Sequence, residues 1–321
     1  MLCVQVLRMQ RKLTHNDDIA QKEVCMKISE FTQKVRDAVA EQLGEEYRVE
    51  LREVKKNNGV ILQGLLIISS EENVIPTIYL EPFHAAYEDG VPMGEITDRI
   101  LDIYREETPK GNINMDFFSS FQRVKERICY KLIRRQENEE LLNDIPYVEF
   151  LDLAVCFYYA YSGTILGEGT ILIHNSHMKL WNVSTQELMK LAIENTPRLF
   201  PAKLAPMAEV LREIMDVGGI SDFEPEIPLK VLTNNRRTHG AVCILYPGML
   251  EKIAEKTGKN YYIIPSSVHE VILLEETGEE KAEDLKKIIR EVNRTHVSAE
   301  EVLSDNLYFY DNFVKTVKII F

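Results

Sequence analysis

The chain of 321 residues is long enough for one large domain or for two domains of ordinary size. Apolar residues make up 45% and charged residues 28% of the sequence, a composition that excludes an intrinsically disordered chain. The formal net charge of -13 is spread along the sequence and repels polyanions, which argues against nucleic acid as a partner.

Five cysteines are scattered through the chain without a C-x-x-C pair, the usage expected where thiols stay reduced. No apolar run reaches the roughly 18 residues that cross a bilayer. In "MLCVQVLRMQRK" the basic residues follow the apolar stretch, the reverse of their order in a secretory signal. We therefore predict a cytoplasmic protein with no membrane partner.

The first 25 residues are a candidate leader outside the fold. Lys22-Glu23-Val24 can be encoded by AAGGAGGUN, a strong ribosome-binding sequence, and it lies one codon upstream of Met26. This predicts a translation start at Met26 and a non-native leader over 1–25. The alternative is a genuine helical extension that continues into the first predicted helix.

From Met26 onward, periodicity predicts both helices and strands. Apolar residues at three- and four-residue steps in "ISEFTQKVRDAVAEQL" predict an amphipathic helix that ends at Gly44. Apolar and charged residues alternate over 47–51, ahead of Asn57-Asn58-Gly59. Because Asn-Gly favours the positive φ of tight turns, this region predicts a β-hairpin. The next predicted elements are a strand over 77–80, a helical turn from Pro82 and a helix over 94–106.

In the second half of the chain, Ser184 and Glu187 form a capping-box pattern that predicts a helix start, and Pro197 predicts its end. "PLKVLTNNRRTHGAVCILYP" predicts two strands about a polar turn. "YYIIPSSVHEVILLEE" predicts a turn at Pro265-Ser266-Ser267 that leads into a strand. The other predicted elements are helices over 115–127, 203–216 and 248–256, strands over 129–135, 147–161 and 169–175, a helix in "EKAEDLKKIIREVNR" and two final strands.

Strands come in hairpins and helices follow them in blocks, so strict alternation is absent. This order predicts an α+β fold with largely antiparallel sheets and flanking amphipathic helices. A charged stretch that ends at Pro146 suggests a boundary near 136–146, with an N-terminal region over 26–145 and a C-terminal region over 146–321. A single integrated domain is the alternative.

Ser266, Ser267, His269 and Glu270 are the candidate catalytic residues, because a nucleophile relay needs a hydroxyl, an imidazole and a carboxylate. If 268–274 is a strand, His269 and Glu270 point to opposite faces, and Glu270 cannot orient the imidazole. No G-x-S-x-G elbow presents an exposed serine. We therefore interpret the stretch as structural, and a hydrolase whose partners come from a distant segment, Asn234 or His239, is the alternative.

Asn234, Arg236, Arg237 and His239 are the candidate ligand-binding residues, since they lie in the polar turn between two predicted strands. Arginines at such a turn can bind a phosphate group. More often these residue types only make the turn.

We predict no metal site and no cofactor. His174 and His177 lie three residues apart, which suits a shared metal only in a helix, and no carboxylate or thiol follows at a convincing interval. A second set needs ligands from elsewhere and is better explained as solvated charge: Glu81, His84, Glu88 and Asp89.

Residues 121–135 contain six basic residues against one acidic residue, and Phe121 and Tyr130 lie among them. Basic and aromatic side chains together are the material of a nucleic-acid-binding face. The acidic stretch from Glu137 can neutralise them, and we favour this structural interpretation.

Several spaced motifs resemble an uncharacterised protein family, a domain of unknown function of anaerobic Gram-positive bacteria and their mobile elements. The motifs are "KNNGVILQGLLI", "PTIYLE", "VLTNNRRTHGAVCILYP", "IIPSSVHEVILLEE" and "EVLSDNLYFYD". The likeness runs from Met26 to Asp311, which implies an intact member that begins near "MKISEF". It implies no activity.

The function predicted from the sequence is a non-catalytic binding or regulatory role, with an unknown protein or small molecule as partner. A hydrolase that uses Ser267 and His269 is the first alternative. A nucleic-acid accessory factor of a mobile element is the second, and it requires the basic residues over 123–135 to form one exposed strip.

Overall fold

A computed structural model describes residues 26–70, 73–109, 116–163, 167–215 and 229–320. The proposed leader over 1–25 lies outside the described residues. The described chain divides into two compact units. Of the described residues, the smaller unit contains those within 26–116 and 162–169, and the larger contains those within 117–161 and 170–320. The boundary expected near 136–146 therefore falls within the larger unit.

The smaller unit packs three helices with a three-stranded antiparallel sheet of order β1-β2-β3. Its elements are α1 (Ile28–Leu43), β1 (Arg48–Lys55), β2 (Ile61–Ile68), β3 (Thr77–Tyr79), α2 (Glu81–Glu88) and α3 (Met93–Glu107). The predicted hairpin is confirmed, since Lys55 pairs with Ile61 across Asn57–Gly59, where Asn58 and Gly59 adopt positive φ. Burial of the apolar stripes forms its core: Phe31, Val35, Leu65, Ile67, Ile96 and Ile100.

The larger unit begins with a short four-stranded sheet and its helices, apart from residues 162–163 and 167–169 of that sheet, which are counted with the smaller unit. Its first elements are α4 (Phe121–Val124), β4 (Ile128–Arg134), α5 (Glu139–Leu142), β5 (Tyr147–Phe150), β6 (Leu153–Gly163), β7 (Gly167–Leu172), α6 (Asn175–Trp181) and α7 (Thr185–Leu199). The strand order is β4-β6-β5, and β7 also pairs with β6. β5 therefore lies at the edge of this sheet.

A six-stranded sheet of order β13-β12-β10-β11-β9-β8 completes the larger unit. The remaining elements are β8 (Ala202–Pro206), α8 (Met207–Met215), β9 (Leu229–Asn234), α9 (Met249–Glu255), β10 (Tyr261–Ser267), β11 (Glu270–Glu275), α10 (Ala282–Thr295), β12 (Leu307–Asp311) and β13 (Thr316–Ile320). Its pairings are antiparallel. One core joins both sheets and includes Tyr130, Phe157, Leu232, Tyr261 and Tyr308. The predicted α+β class with antiparallel sheets is confirmed.

Several predicted elements differ from the structure. The helix expected over 115–127 is divided into short helical turns, and the strand expected over 147–161 is two strands, β5 and β6. Gly240–Leu245 forms a 3-10 helix where a second strand was expected, because it packs beneath the sheet and not within it. The helix expected over 203–216 begins as β8, which pairs with β9, and only Met207–Met215 is helical. Pro197 does not end α7, which continues to Leu199.

The stretch "YYIIPSSVHEVILLEE" forms a β-hairpin of β10 and β11, and not a turn followed by one strand. Pro265 and Ser267 lie within β10, and the turn is formed by Val268 and His269. Ser267 pairs with Glu270 after an irregularity in the register. His269 therefore projects from a turn, where pleat alternation does not decide its direction.

Candidate functional site

Two neighbouring connections bring several of the predicted site residues together. β11 pairs with β9, with Val271 opposite Leu232, so the turn before β11 lies beside the loop after β9. The Thr233 hydroxyl donates a hydrogen bond to the carbonyl of His269 at 2.8 Å. Candidate residues from the two motifs thus meet at one place.

Asn234 organises the loop after β9. Its side-chain amide donates to the carbonyl of Thr238 at 2.8 Å, and its Oδ1 accepts the backbone N–H of Arg236 at 2.9 Å. Arg237 and His239 both adopt positive φ. Asn234 is buried and used by the turn itself, so it offers no free amide to a ligand.

Gly240 lets the loop approach the hairpin turn. A Cβ at this position would lie 2.2 Å from Oγ1 of Thr233 and 2.5 Å from the carbonyl oxygen of His269. Both distances are too short for a real side chain. The glycine in "THGAVC" is therefore required by the close packing of the two connections.

His269 uses both of its ring nitrogens in the fold. Its Nδ1 accepts the backbone N–H of His239 at 3.2 Å, which leaves the proton on Nε2. Nε2 lies 3.3 Å from Oε1 of Glu301. The hydrogen bond from His269 lowers the pKa of the Glu301 carboxyl. No ring nitrogen of His269 remains to take a proton from a nucleophile.

The serine-rich strand does not complete a catalytic relay. The Ser267 hydroxyl is buried and accepts the backbone N–H of His269 at 3.0 Å, so it faces the main chain and not the imidazole. Glu270 is the first residue of β11. The carboxylate that contacts the His269 ring is that of Glu301. The side chain of Ser266 lies outside the described residues. Glu301 was missed by the sequence interpretation because it is distant in the chain.

His239 is the second histidine of this pair of connections. Its ring stacks on that of His269, with centroids 5.9 Å apart and planes at 19°, and contacts the ring of Tyr158 at 5.7 Å. Within the described chain, its buried Nδ1 has no hydrogen-bond partner. Burial lowers the pKa of His239 well below its ordinary value, and the charge of Lys131 lowers it further. His239 is therefore a neutral imidazole.

Lys131 on β4 is a residue that the sequence interpretation did not single out. It lies directly opposite Cys156 of β6. Burial lowers the pKa of the Lys131 amine, whereas burial raises the pKa of the Cys156 thiol to about 12. The signal in the sequence was a lysine inside the otherwise apolar strand "ICYKLI".

The histidine pair considered for metal binding, His174 and His177, contacts other parts of the fold. His174 lies before α6 and contacts Asp144 at 2.7 Å through Nδ1, while Nδ1 of His177 accepts the His174 backbone N–H at 3.0 Å. The His177 ring stacks on Trp181. In the described ranges, no group of three or more histidine, cysteine, aspartate or glutamate side chains is arranged to hold a metal ion.

The set around His84 is also part of the fold of the smaller unit. His84 donates from Nε2 to the carbonyl of Met26 at 2.7 Å. Glu81 accepts the backbone N–H of Gln63 at 2.6 Å. Glu88 lies 3.9 Å from Nδ1 of His84, an ion-pair distance and not a shared ligand geometry.

The basic residues over 121–135 are divided among different environments. Arg134 contacts Glu137 at 2.8 Å and Asp305 at 2.6 Å. Arg135 contacts Glu149 at 2.7 Å. Since Lys131 is mostly buried in β4, these residues are not arranged as one row of free cations.

Ser304 and Asn306 of the motif "EVLSDNLYFYD" bind Asp152 in the turn between β5 and β6. Asp152 accepts hydrogen bonds from the Ser304 hydroxyl at 2.6 Å, the Asn306 amide at 3.0 Å and the Tyr308 hydroxyl at 2.7 Å. A half-buried carboxylate with three donors is well stabilised without a cation. This motif therefore has a structural explanation.

In the described part of the chain, a groove between β5 and α7 has apolar walls. Its volume is about 590 Å³. It is lined by Tyr147, Val148, Thr185, Gln186, Met189, Lys190 and Ile193. A second groove, of about 660 Å³, lies along α6 and the start of α7 and includes the capping residues Ser184 and Glu187. Those two side chains already bond the helix end, which confirms the predicted capping box.

None of the described helices is both long and apolar enough to cross a membrane. Comparisons with curated proteins and with solved structures found no match. The model of a family of unknown function, DUF5688, matches residues 28–312 and so covers most of the sequence, and the chain therefore belongs to that family.

Proposed function

We propose that the protein is a non-catalytic binding protein and that its binding site is the groove between β5 and α7. The observation that carries this proposal is an apolar wall beside a strand edge. Val148 supplies the strand side, and Met189 and Ile193 supply the helix side. The groove has the size of ordinary ligand pockets, which are about 300–1,000 Å³.

The strand edge favours an extended chain as the occupant. β5 ends the strand order of its sheet, and in the described chain its outer edge pairs with no further strand. Every second residue of such an edge directs its N–H and C=O outward, where a peptide can add as another strand. Side chains of that peptide would alternate between the groove and the solvent.

The lining favours a particular peptide chemistry. Met189 and Ile193 are one turn apart on α7 and are partly exposed, so they can cover apolar side chains of the occupant. Lys190 lies at the same groove with an exposed side chain and can receive a carboxylate. We therefore propose an extended segment of a partner protein with alternating apolar residues and one acidic residue.

The alternative functions have less support. A hydrolase that uses Ser267 and His269 needs a free ring nitrogen and a hydroxyl that faces it, and both groups are engaged elsewhere. A nucleic-acid factor needs free cations, whereas Arg134 and Arg135 contact carboxylates.

We also propose a reducing compartment, the cytoplasm, as the setting. Cys129, Cys156 and Cys243 are buried and free, as thiols are where disulfides do not form. The proposed bacterial host and mobile-element context rest on the sequence resemblance alone.

The test is a screen of a displayed library of random peptides against the purified full-length protein. Enriched peptides are synthesised, and their affinity is measured by fluorescence anisotropy. Met189→Asp and Ile193→Asp should each weaken binding by at least about tenfold, because a covered apolar side chain contributes about 1.5–3 kcal/mol.

The matched control is Leu180→Asp, which places the same charge at an exposed apolar residue of α6 outside this groove. It should leave affinity unchanged. Enrichment of no peptide, or equal binding to Met189→Asp and the unchanged protein, would contradict the proposal.

A further inference from the structure

The first turn of α6 contains a histidine whose hydrogen bond requires an uncharged ring. Nδ1 of His177 accepts the backbone N–H of His174 at 3.0 Å, the arrangement in which a side chain caps the residue before a helix. A ring nitrogen that accepts a hydrogen bond carries no proton. Protonation would place an N–H on Nδ1, where the His174 N–H already points, and the hydrogen bond would be lost. The neutral ring therefore holds the start of α6 as an imidazolium cannot.

The same ring packs α6 against the core of the larger unit. It stacks on Trp181, one turn later in α6, with centroids 5.7 Å apart, and meets Phe118 nearly at a right angle at 4.9 Å. Nε1 of Trp181 donates to the carbonyl of Phe118 at 2.8 Å. Phe118 and Trp181 both belong to that core. A change at His177 therefore acts on the helix start and on the contact between α6 and the core.

Among the described residues, two titratable groups act on His177. The His174 ring is 5.5 Å away between centroids, and its Nδ1 contacts Asp144 at 2.7 Å. Burial lowers the pKa of His177, the charge that His174 acquires beside Asp144 lowers it further, and Asp144 itself raises it. The other rings in contact with it, Phe118 and Trp181, are uncharged. The direction agrees with the role of Nδ1 as an acceptor, since the fold favours the neutral ring.

The helix that His177 holds forms one wall of the second groove. Asn175, Met178 and Lys179 of α6 line it, as does Asn182 directly after the helix, and the start of α7 lines the other side. The volume of about 660 Å³ is within the range of ordinary ligand pockets. The groove therefore exists only while α6 stays in its place.

We propose that His177 is a pH switch: the neutral ring holds α6 against the core, and protonation releases the helix and removes one wall of the second groove. In the released helix the imidazole is in water and takes up a proton near its ordinary value of 6.5. Protons therefore favour release, whose population rises by up to about tenfold per pH unit as the pH falls below that value. The switch is independent of the groove between β5 and α7, whose lining contains no residue of α6.

The single tryptophan of the sequence reports on this switch, because Trp181 lies under the His177 ring and is only 7% exposed. The emission maximum of the full-length protein and its quenching by acrylamide are measured from pH 8 to pH 5. Both quantities respond to exposure of the indole. Acidification should move the emission to longer wavelength and raise the quenching constant at least about threefold, since half a pKa unit changes a population by about that factor.

His177→Gln is the decisive variant, because the glutamine side-chain oxygen can accept the His174 N–H and does not titrate in this range. It should keep Trp181 shielded and abolish the pH response. His174→Gln removes the neighbouring charge, so the response should remain and its midpoint should move to higher pH. His296→Gln, at an exposed histidine that follows α10, is the control and should behave like the unchanged protein.

Amide hydrogen exchange separates local release from global unfolding. After correction for the intrinsic rate, peptides from α6 should lose protection at pH 5.5 while peptides from β6 keep theirs. The proposal is overturned if Trp181 stays shielded down to pH 5, if His177→Gln responds to pH as the unchanged protein does, or if α6 and β6 lose protection together. If His177→Gln exposes Trp181 at every pH, an unchanged midpoint in His174→Gln overturns it instead.

Discussion

His239 and His269 lie 5.9 Å apart with nearly parallel rings, yet the fold uses them in opposite ways. His269 has a donor on Nδ1 and a carboxylate at Nε2, so its imidazole is a structural bridge between two connections and Glu301. Nδ1 of His239 is buried and has no hydrogen-bond partner among the described residues, and the charge of Lys131 disfavours protonation of the ring. The comparison teaches that hydrogen-bond partners, and not residue type or neighbours in sequence, separate a structural histidine from a candidate site.

The largest expected effect comes from Gly240, which lies at the close contact between the connections that contain His239 and His269. Gly240→Ala should lower the free energy of unfolding by about 3 kcal/mol or more, because the new Cβ overlaps Thr233 and the backbone of His269. Urea denaturation measures the change. Gly94→Ala in α3 is the control, since nothing lies within 4 Å of its Cβ, and it should be neutral or slightly stabilising. A loss smaller than about 1 kcal/mol for Gly240→Ala would contradict the close packing of the two connections.

The next largest effect is expected from replacing His269, the histidine that the fold uses as a bridge. His269→Ala should cost about 2 kcal/mol at pH 7, because it leaves the buried N–H of His239 and the Glu301 carboxylate without their partner. The pKa of Glu301 is lowered in the fold, so its contribution to stability is present above the unfolded value and is lost as the pH falls below 4.5. The difference between the variant and the unchanged protein should therefore narrow in acid. A difference that stays constant down to pH 3 would show that the hydrogen bond from His269 to the Glu301 carboxylate contributes nothing.

His239 should make the free energy of unfolding depend on pH over a higher range than Glu301 does. Its pKa is lowered in the fold, so the unfolded chain binds more protons below the ordinary value of 6.5, and stability falls as the pH decreases through that value. The slope from one such group is up to about 1.4 kcal/mol per pH unit. Urea denaturation between pH 5 and 8 should show this component in the unchanged protein and not in His239→Asn. Identical slopes in the two proteins would mean that His239 is not buried in its neutral form.

Local patterns predicted the parts of this fold that depend on local forces. The Asn57-Asn58-Gly59 turn and the Ser184–Glu187 capping box form as expected, since each is decided within a few residues. "GAVCIL" is as apolar as a strand, but its place beneath the sheet is set by tertiary packing, and it forms a 3-10 helix.

The candidate site could be predicted only in part for the same reason. Its serine, histidine and asparagine were visible as polar residues between apolar runs, and the structure brings Asn234, His239, Ser267 and His269 to adjoining connections. Glu301 and Lys131 come from distant elements, and no local pattern links them to the loop. The reason given for separating His269 from Glu270 was wrong, since His269 lies in a turn and not in a strand.

The smallest expected effect concerns the charge beside His239 and has an unusual sign. Lys131→Met removes an uncompensated amine from an apolar face and keeps a similar side-chain length, so it should stabilise the protein by about 1 kcal/mol at pH 7. Lys230→Met is the matched control and should destabilise by about 1 kcal/mol, because it leaves Glu275 without its ion pair. Opposite signs in urea denaturation would sharpen the distinction between a cation that the fold uses and one that it only tolerates. If both variants lose stability equally, the fold depends on the Lys131 amine as it does on the Lys230 amine.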